Sequence, residues 1–139
     1  MRLLHTRELR FEEFFDDIIP MYSTLSHRWT DEVSYHEFLY LSRSEWQGGT
    51  VLAPMMVIDD ARKDSAGFRK IMDFRNLASL KGYLWIWADT VCIDKSSSAE
   101  LSEAINSMYE WYKDAAICIV YLSDVSVTAS TTAGTMPNA

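Results

Sequence analysis

The sequence predicts an α/β fold: a partial parallel sheet flanked by helices. Strand-like and helix-like segments alternate along the chain, which is the pattern of βαβ units. Tyr83–Ala88 and Ala116–Leu122 are short, nearly unbroken apolar runs, the type found in strands covered on both faces. Each run also gives way abruptly to polar residues, where such sheets gather ligands at their carboxyl ends. At 139 residues, 48% hydrophobic and 13% aromatic, the chain has room for one domain with a real core.

The elements follow in order. Residues 1–4 suit a short edge strand, and RFEEFFDDI (10–18) a helical turn or two. After Pro20, Met21–Ser26 reads as a short buried strand and HRWTDE as a loop. Val33–Ser42 places Tyr35, Phe38, Leu39 and Ser42 at helical spacing. Residues 44–63 fit neither period. Gly48, Gly49 and Pro54 break them, so a long loop or hairpin-like insertion is expected.

Asp64–Lys81 reads as a helix with Asp64 or Ser65 as its cap. Phe68, Ile71, Met72, Arg75 and Ala78 would share one face, and Gly82 supplies the left-handed stop. A second helix follows the serine row, where Ser97 and Glu100 have capping-box spacing. Leu101, Ile105, Met108, Tyr109 and Tyr112 mark its expected core stripe. SVTASTTAGTMPNA (126–139) has no charge and almost no large apolar side chain, so a disordered tail is expected.

A net charge of −7 argues against a nucleic-acid binder, which would carry a basic face. No run approaches the ~20 apolar residues that cross a bilayer. The N-terminus turns charged too early for a secretory signal. Cys92 and Cys118 lie in apolar runs without CxxC spacing. Two buried free thiols are expected, and with them a cytoplasmic location. His5, His27 and His36 lack partners at metal-ligand spacing, and no phosphate-loop or dinucleotide glycine motif is present.

Candidate site residues therefore come from the carboxyl ends of the three expected parallel strands: Ser26, His27 and Trp29; Asp89, Cys92 and Asp94; Ser123 and Asp124. His27 is a candidate general base, and with Cys92 and an aspartate would form a nucleophile set. Cys92 within VCI equally suits inert packing. Asp89 and Asp94 suit paired carboxylates, while Asp94 equally suits the start of the following helix. Trp29, in a loop, offers a stacking surface, and alternation places one of Trp85 and Trp87 in the core.

The stretches MRLLHTREL (1–9), YSTLSHRW (22–29), GYLWIWADTVCIDKSSSAELSEAINSMYEWY (82–112) and DAAICIVYLSDV (114–125) resemble, in order, the fungal heterokaryon incompatibility (HET) domain. The resemblance covers residues 1–125 as the N-terminal part of that domain. Residues 44–63 and the tail lie outside it. It implies a signalling or interaction module in fungal non-self recognition and programmed cell death, acting through a protein partner or self-association.

The HET pattern is in turn similar to Toll/interleukin-1 receptor (TIR) domains, some of which cleave NAD, and so implies a TIR- or flavodoxin-like sheet with NAD as a ligand or substrate. On that comparison Ser26, His27, Trp29 and Asp89 would line the pocket. The acid that completes such a site follows the third strand in a Trp…Glu-Leu segment. No Glu or Trp follows Val125 here, so the resemblance implies an incomplete, C-terminally truncated domain without that catalytic residue. An NAD-cleaving hydrolase and a non-functional truncated gene product are the alternatives. An incomplete sheet would leave Ile117, Ile119 and Val120 short of cover, and a marginal or partner-dependent fold follows.

Overall fold

The computed structural model describes residues 1–45 and 58–122. It contains five strands, β1 (Arg2–His5), β2 (Phe11–Glu13), β3 (Ser23–His27), β4 (Trp85–Trp87) and β5 (Ile117–Tyr121). Three helices accompany them, α1 (Tyr35–Leu41), α2 (Ala66–Leu80) and α3 (Ser98–Asp114). The sheet order is β2-β1-β4-β3-β5. β4, β3 and β5 run parallel, as the alternation of segments predicts. β3 is the middle strand of the three, so chain order reverses beside its carboxyl end.

The first twenty residues depart from expectation. β1 is not an edge strand, because it pairs antiparallel with both β2 and β4. Residues 11–13 are strand and not helix, since their backbone bonds to residues 2–4 with Phe11 opposite Leu4. Only Asp16–Ile18 forms a single 3-10 turn. The added antiparallel ribbon makes the sheet mixed.

Register assigns the faces. Leu4, Ile86 and Ser23 are cross-strand partners, and alternation adds Leu25 and His27 to the same side. Phe11 on this side meets Phe38 of α1, which packs on Phe68 of α2 at 5.4 Å between ring centroids. Thr24 pairs with Trp87 on the opposite side. Trp87, fully buried, meets Trp111 and Tyr112 of α3 edge-on at 5.6 and 5.4 Å.

The helix signals are legible in their caps. Ser34 and Glu37 form a reciprocal capping box on α1. Ser65 accepts from the Phe68 amide at the start of α2. Gly82, at φ +90°, ends α2 as predicted. The Gly82 amide donates to Ser79 O and the Tyr83 amide to Ala78 O, which satisfies two otherwise orphaned carbonyls. At α3, Ser97 accepts from the Glu100 amide, but the Glu100 carboxylate accepts from the Asp94 amide and meets Arg2. The expected reciprocal box is therefore only half formed.

Two core assignments need correction. On α3, Ala104 is buried and Met108 and Tyr112 pack partly against the core, but Ile105 and Tyr109 face solvent. β5 is not covered on both faces, since Cys118 and Val120 are exposed, and among the described residues it pairs only with β3. Of the three residues expected to be short of cover, Val120 is exposed, whereas Ile117 and Ile119 are half-buried and Ile119 packs against the core. Of the 44–63 segment the described parts form 3-10 turns at Arg43–Glu45 and Asp60–Asp64. Residues 46–57 and the 126–139 tail lie outside the described residues.

Candidate functional site

β3 ends at His27, and β4 is followed within two residues by Asp89. Parallel pairing of these strands brings both side chains to one rim. His27 Nε2 lies 2.8 Å from Asp89 Oδ1, and His27 Nδ1 lies 3.0 Å from Lys70 Nζ. Lys70 enters from α2 and is only 2% exposed. Its ammonium also donates to Glu32 Oε2 at 2.8 Å and to Arg28 O at 3.0 Å. Three donors thus meet three acceptors. The other Asp89 oxygen accepts from Trp29 Nε1 at 3.0 Å.

These partners fix the imidazole. An ammonium can only donate and a carboxylate can only accept. His27 Nδ1 therefore accepts from Lys70, and Nε2–H donates to Asp89. With both ring nitrogens engaged and the side chain 1% exposed, His27 has no free lone pair for a substrate proton. It links Lys70 to Asp89. The geometry does not support its role as a general base.

Opposed effects set the acids. Burial pushes the Asp89 carboxyl up, but hydrogen bonds from His27 and Trp29 hold it below its ordinary 3.8. Burial likewise raises Glu32, while Lys70 and the Thr30 amide bring it below its ordinary 4.5. A carboxyl with a depressed folded pKa stabilises the fold above its unfolded value. That contribution disappears as pH falls through the folded value. Stability to urea should thus be flat near neutrality and decline below about pH 4.5. In Asp89→Asn the acid decline should be shallower, and an unchanged pH profile would count against the assignment.

Other expected site residues part company. Ser26 pairs with Val120 and faces the α3 side, opposite His27. Cys92 is buried, its sulfur lying 3.4 Å from the Ala88 amide that donates to it. Burial pushes its thiol up to about 12, so it is not a nucleophile. Asp94 lies away from His27 but lines the neighbouring cleft, where it accepts from the Ser96 amide at 3.1 Å and meets His36 Nε2 of α1 at 3.2 Å. Ser123 and Asp124 lie outside the described residues. Both cysteines are free as expected, but Cys118 is exposed. A thiol reagent should label Cys118 within minutes and spare Cys92 until the protein unfolds; equal rates would contradict this packing.

Glu32, Lys70 and Lys95 are not among the site residues expected from the sequence. Lys95 Nζ sits 5.0 Å from the Trp29 ring centroid and donates to Asp89 O and Thr90 O. Lys70 was detectable. Gly67, Lys70, Ile71, Phe74 and Ala78 form the buried stripe of α2, so a lysine stands at a core position of the helical period. Glu32 carried no local signal, because its position depends on Gly67. A Cβ there would stand 2.1 Å from Asp31 O and 2.6 Å from Glu32 Cα. The missing side chain lets this loop lie against α2. Arg62 ties the same loop down, at 2.8 Å from Asp31, 3.2 Å from Glu37 and 3.0 Å from Glu32 O.

Beside the rim is a cleft of about 280 Å³, bounded by Trp29, Glu32, Tyr35, Thr90, Asp94 and Lys95 among others. A larger groove of about 460 Å³, lined by Arg7 and Arg75, lies at the other end of the parallel strands. The polar convergence marks the smaller cleft as the candidate site. Among the described residues there is no group of three or more His, Cys, Asp or Glu that could hold a metal ion, and no helix long and apolar enough to cross a membrane.

The family model described as "Heterokaryon incompatibility protein (HET)" matches residues 22–138. The chain is 43% identical over 112 residues to the vegetative incompatibility protein HET-E-1 of Podospora anserina. That match covers 78% of this chain and 7% of the relative, so the chain corresponds to a small part of the longer protein. No solved structure matches it.

Proposed function

Because the chain belongs to the heterokaryon incompatibility (HET) family, we propose that it is a signalling and interaction module of fungal non-self recognition, acting upstream of programmed cell death. The observation that carries this reading is the family match together with the 43% identity to a vegetative incompatibility protein. The rim geometry supports a presenting role. His27, Lys70 and Asp89 are saturated by one another and by their loops. They hold Trp29 and the cleft in place for recognition, in a compartment of the fungal cytoplasm.

Expression in a filamentous fungal host tests this. The full chain should arrest growth or modify the arrest caused by a longer relative. Trp29→Ala, which removes an exposed side chain from the rim, should weaken that effect. No effect on either background would refute the reading. Steady nicotinamide release from NAD by the purified chain would replace it with the hydrolase alternative.

A further inference from the structure

Most arginines of this acidic chain are matched by an acid. Arg2, Arg10, Arg43, Arg62 and Arg69 each meet a carboxylate, whereas Arg7, Arg28 and Arg75 meet none among the described residues. Arg28 lies just beyond β3, but Arg7 and Arg75 together border the groove of about 460 Å³, with Thr6, Asn76, Ser79 and Leu80. The acids whose side chains fall outside the described ones are Asp16, Glu45 and Asp124. Asp16 follows β2 beyond the start of β1, and Asp124 follows the carboxyl end of β5. Glu45 follows Ser44, whose hydroxyl meets Lys63 just before α2, and the length of α2, ~22 Å, separates that point from Leu80. The groove lies at the opposite end, where β1 and α2 finish.

Its polar groups are mostly donors. Arg75 Nε donates to Thr6 O, and Nη1 donates to Asn76 Oδ1 at 3.3 Å, which fixes the planar head of the side chain. The remaining N–H groups of that guanidinium have no acceptor among the described residues. Asn76, its carbonyl engaged, offers its NH2, and Ser79 adds a hydroxyl. The carbonyls of Leu77, Ala78 and Ser79, which would otherwise repel an anion at the end of α2, are taken by the amides of Lys81, Tyr83 and Gly82. Leu80 beside them is 85% exposed.

We propose that this groove docks a short acidic segment of a partner protein, with a carboxylate side chain on Arg7 and Arg75 and an apolar neighbour against Leu80. This deepens the proposed function by naming the partner's chemistry, and it rests on the reading of the chain as an interaction module. Charge complementarity selects the occupant. Donors without acceptors call for an oxyanion, and a planar carboxylate matches a planar guanidinium in two parallel bonds. Leu80 favours a peptide over a free inorganic anion, which would leave it uncovered. The net charge of −7 does not oppose this, because exposed charges more than ~8 Å away are screened at physiological salt.

The test is a titration of the full ¹⁵N-labelled chain with a blocked Leu-Asp-Glu-Leu peptide, followed by amide shifts. Saturable shifts are expected at Arg7, Asn76, Ser79 and Leu80, weakening as salt is raised. Affinity should fall about tenfold in Arg75→Gln and about threefold in Arg7→Gln, whose wild-type side chain is exposed. Arg7 makes no side-chain bond among the described residues, so Arg7→Gln keeps the fold if Arg75→Gln does not. Arg69→Gln, elsewhere on α2, should bind as the native chain does, and a blocked Leu-Asn-Gln-Leu peptide should not bind.

Absence of shifts, binding indifferent to both groove variants, or tighter binding of inorganic phosphate at the same amides would each overturn the proposal. If Arg7→Gln lost the peptide yet arrested fungal growth as the native chain does, the groove would be severed from signalling; the proposal would fall and the family reading would stand. Peptide binding by a native chain without any effect on growth would support the groove and refute the signalling reading.

Discussion

Replacing Lys70 by methionine is expected to lower stability by about 3–5 kcal/mol, the cost of breaking a buried ion pair from one side. Methionine fills a similar volume, so packing changes little. What remains is a Glu32 carboxylate, its side chain 11% exposed, without its ammonium, and a His27 Nδ1 without a donor. The double variant Lys70→Met, Glu32→Gln should recover much of the loss, because neutralising both partners removes the stranded charge. Urea unfolding of the two variants measures this directly. A single-variant loss under about 1 kcal/mol would mean that the pair is open to water.

Gly67→Ala is expected to cost about 3 kcal/mol, near the upper end for overpacking. The added methyl meets backbone atoms of Asp31 and Glu32, which cannot rotate away as a side-chain tip can. The loop must move off α2 and take Glu32 from Lys70 with it. The two sites are therefore coupled, and Gly67→Ala should cost less in a Glu32→Gln background than in the native chain. Full additivity in the double-mutant cycle would separate the glycine from the ion pair.

The parallel strands, the three helices and several of their caps were legible because hydrophobic period, serine caps and Gly82 are local signals. The first strand pair was not. RFEEFFDDI carries acids and aromatics compatible with a helical turn, and only its pairing to Leu3 and Leu4 makes residues 11–13 extended. Period also failed at Ile105, Tyr109, Cys118 and Val120. An apolar side chain in sequence does not reveal whether anything packs on it: Ile105 and Tyr109 are exposed on α3, and Cys118 and Val120 on the edge strand β5.

At the rim, His27, Trp29 and Asp89 were found from their positions at strand ends, and the structure joins all three. Ser26 failed because alternation turns it to the other face, and Cys92 because the chain folds back into the core after Asp89. The charges that organise the rim come from α2 and from a loop held by Gly67. Their relation to His27 spans 43 positions for Lys70 and is invisible to local spacing.

The rim depends on which imidazole nitrogen of His27 carries hydrogen. Long-range proton–nitrogen correlation spectra of ¹⁵N-histidine-labelled chain, taken about a unit and a half above the usual imidazole range of ~6.5, resolve this atom by atom. Hydrogen on Nε2, with Nδ1 showing the signature of a lone pair that accepts a bond and losing it in Lys70→Met, is the predicted outcome. Hydrogen on Nδ1, or rapid exchange between the two forms, would mean that β3 and β4 do not hold His27 between Lys70 and Asp89.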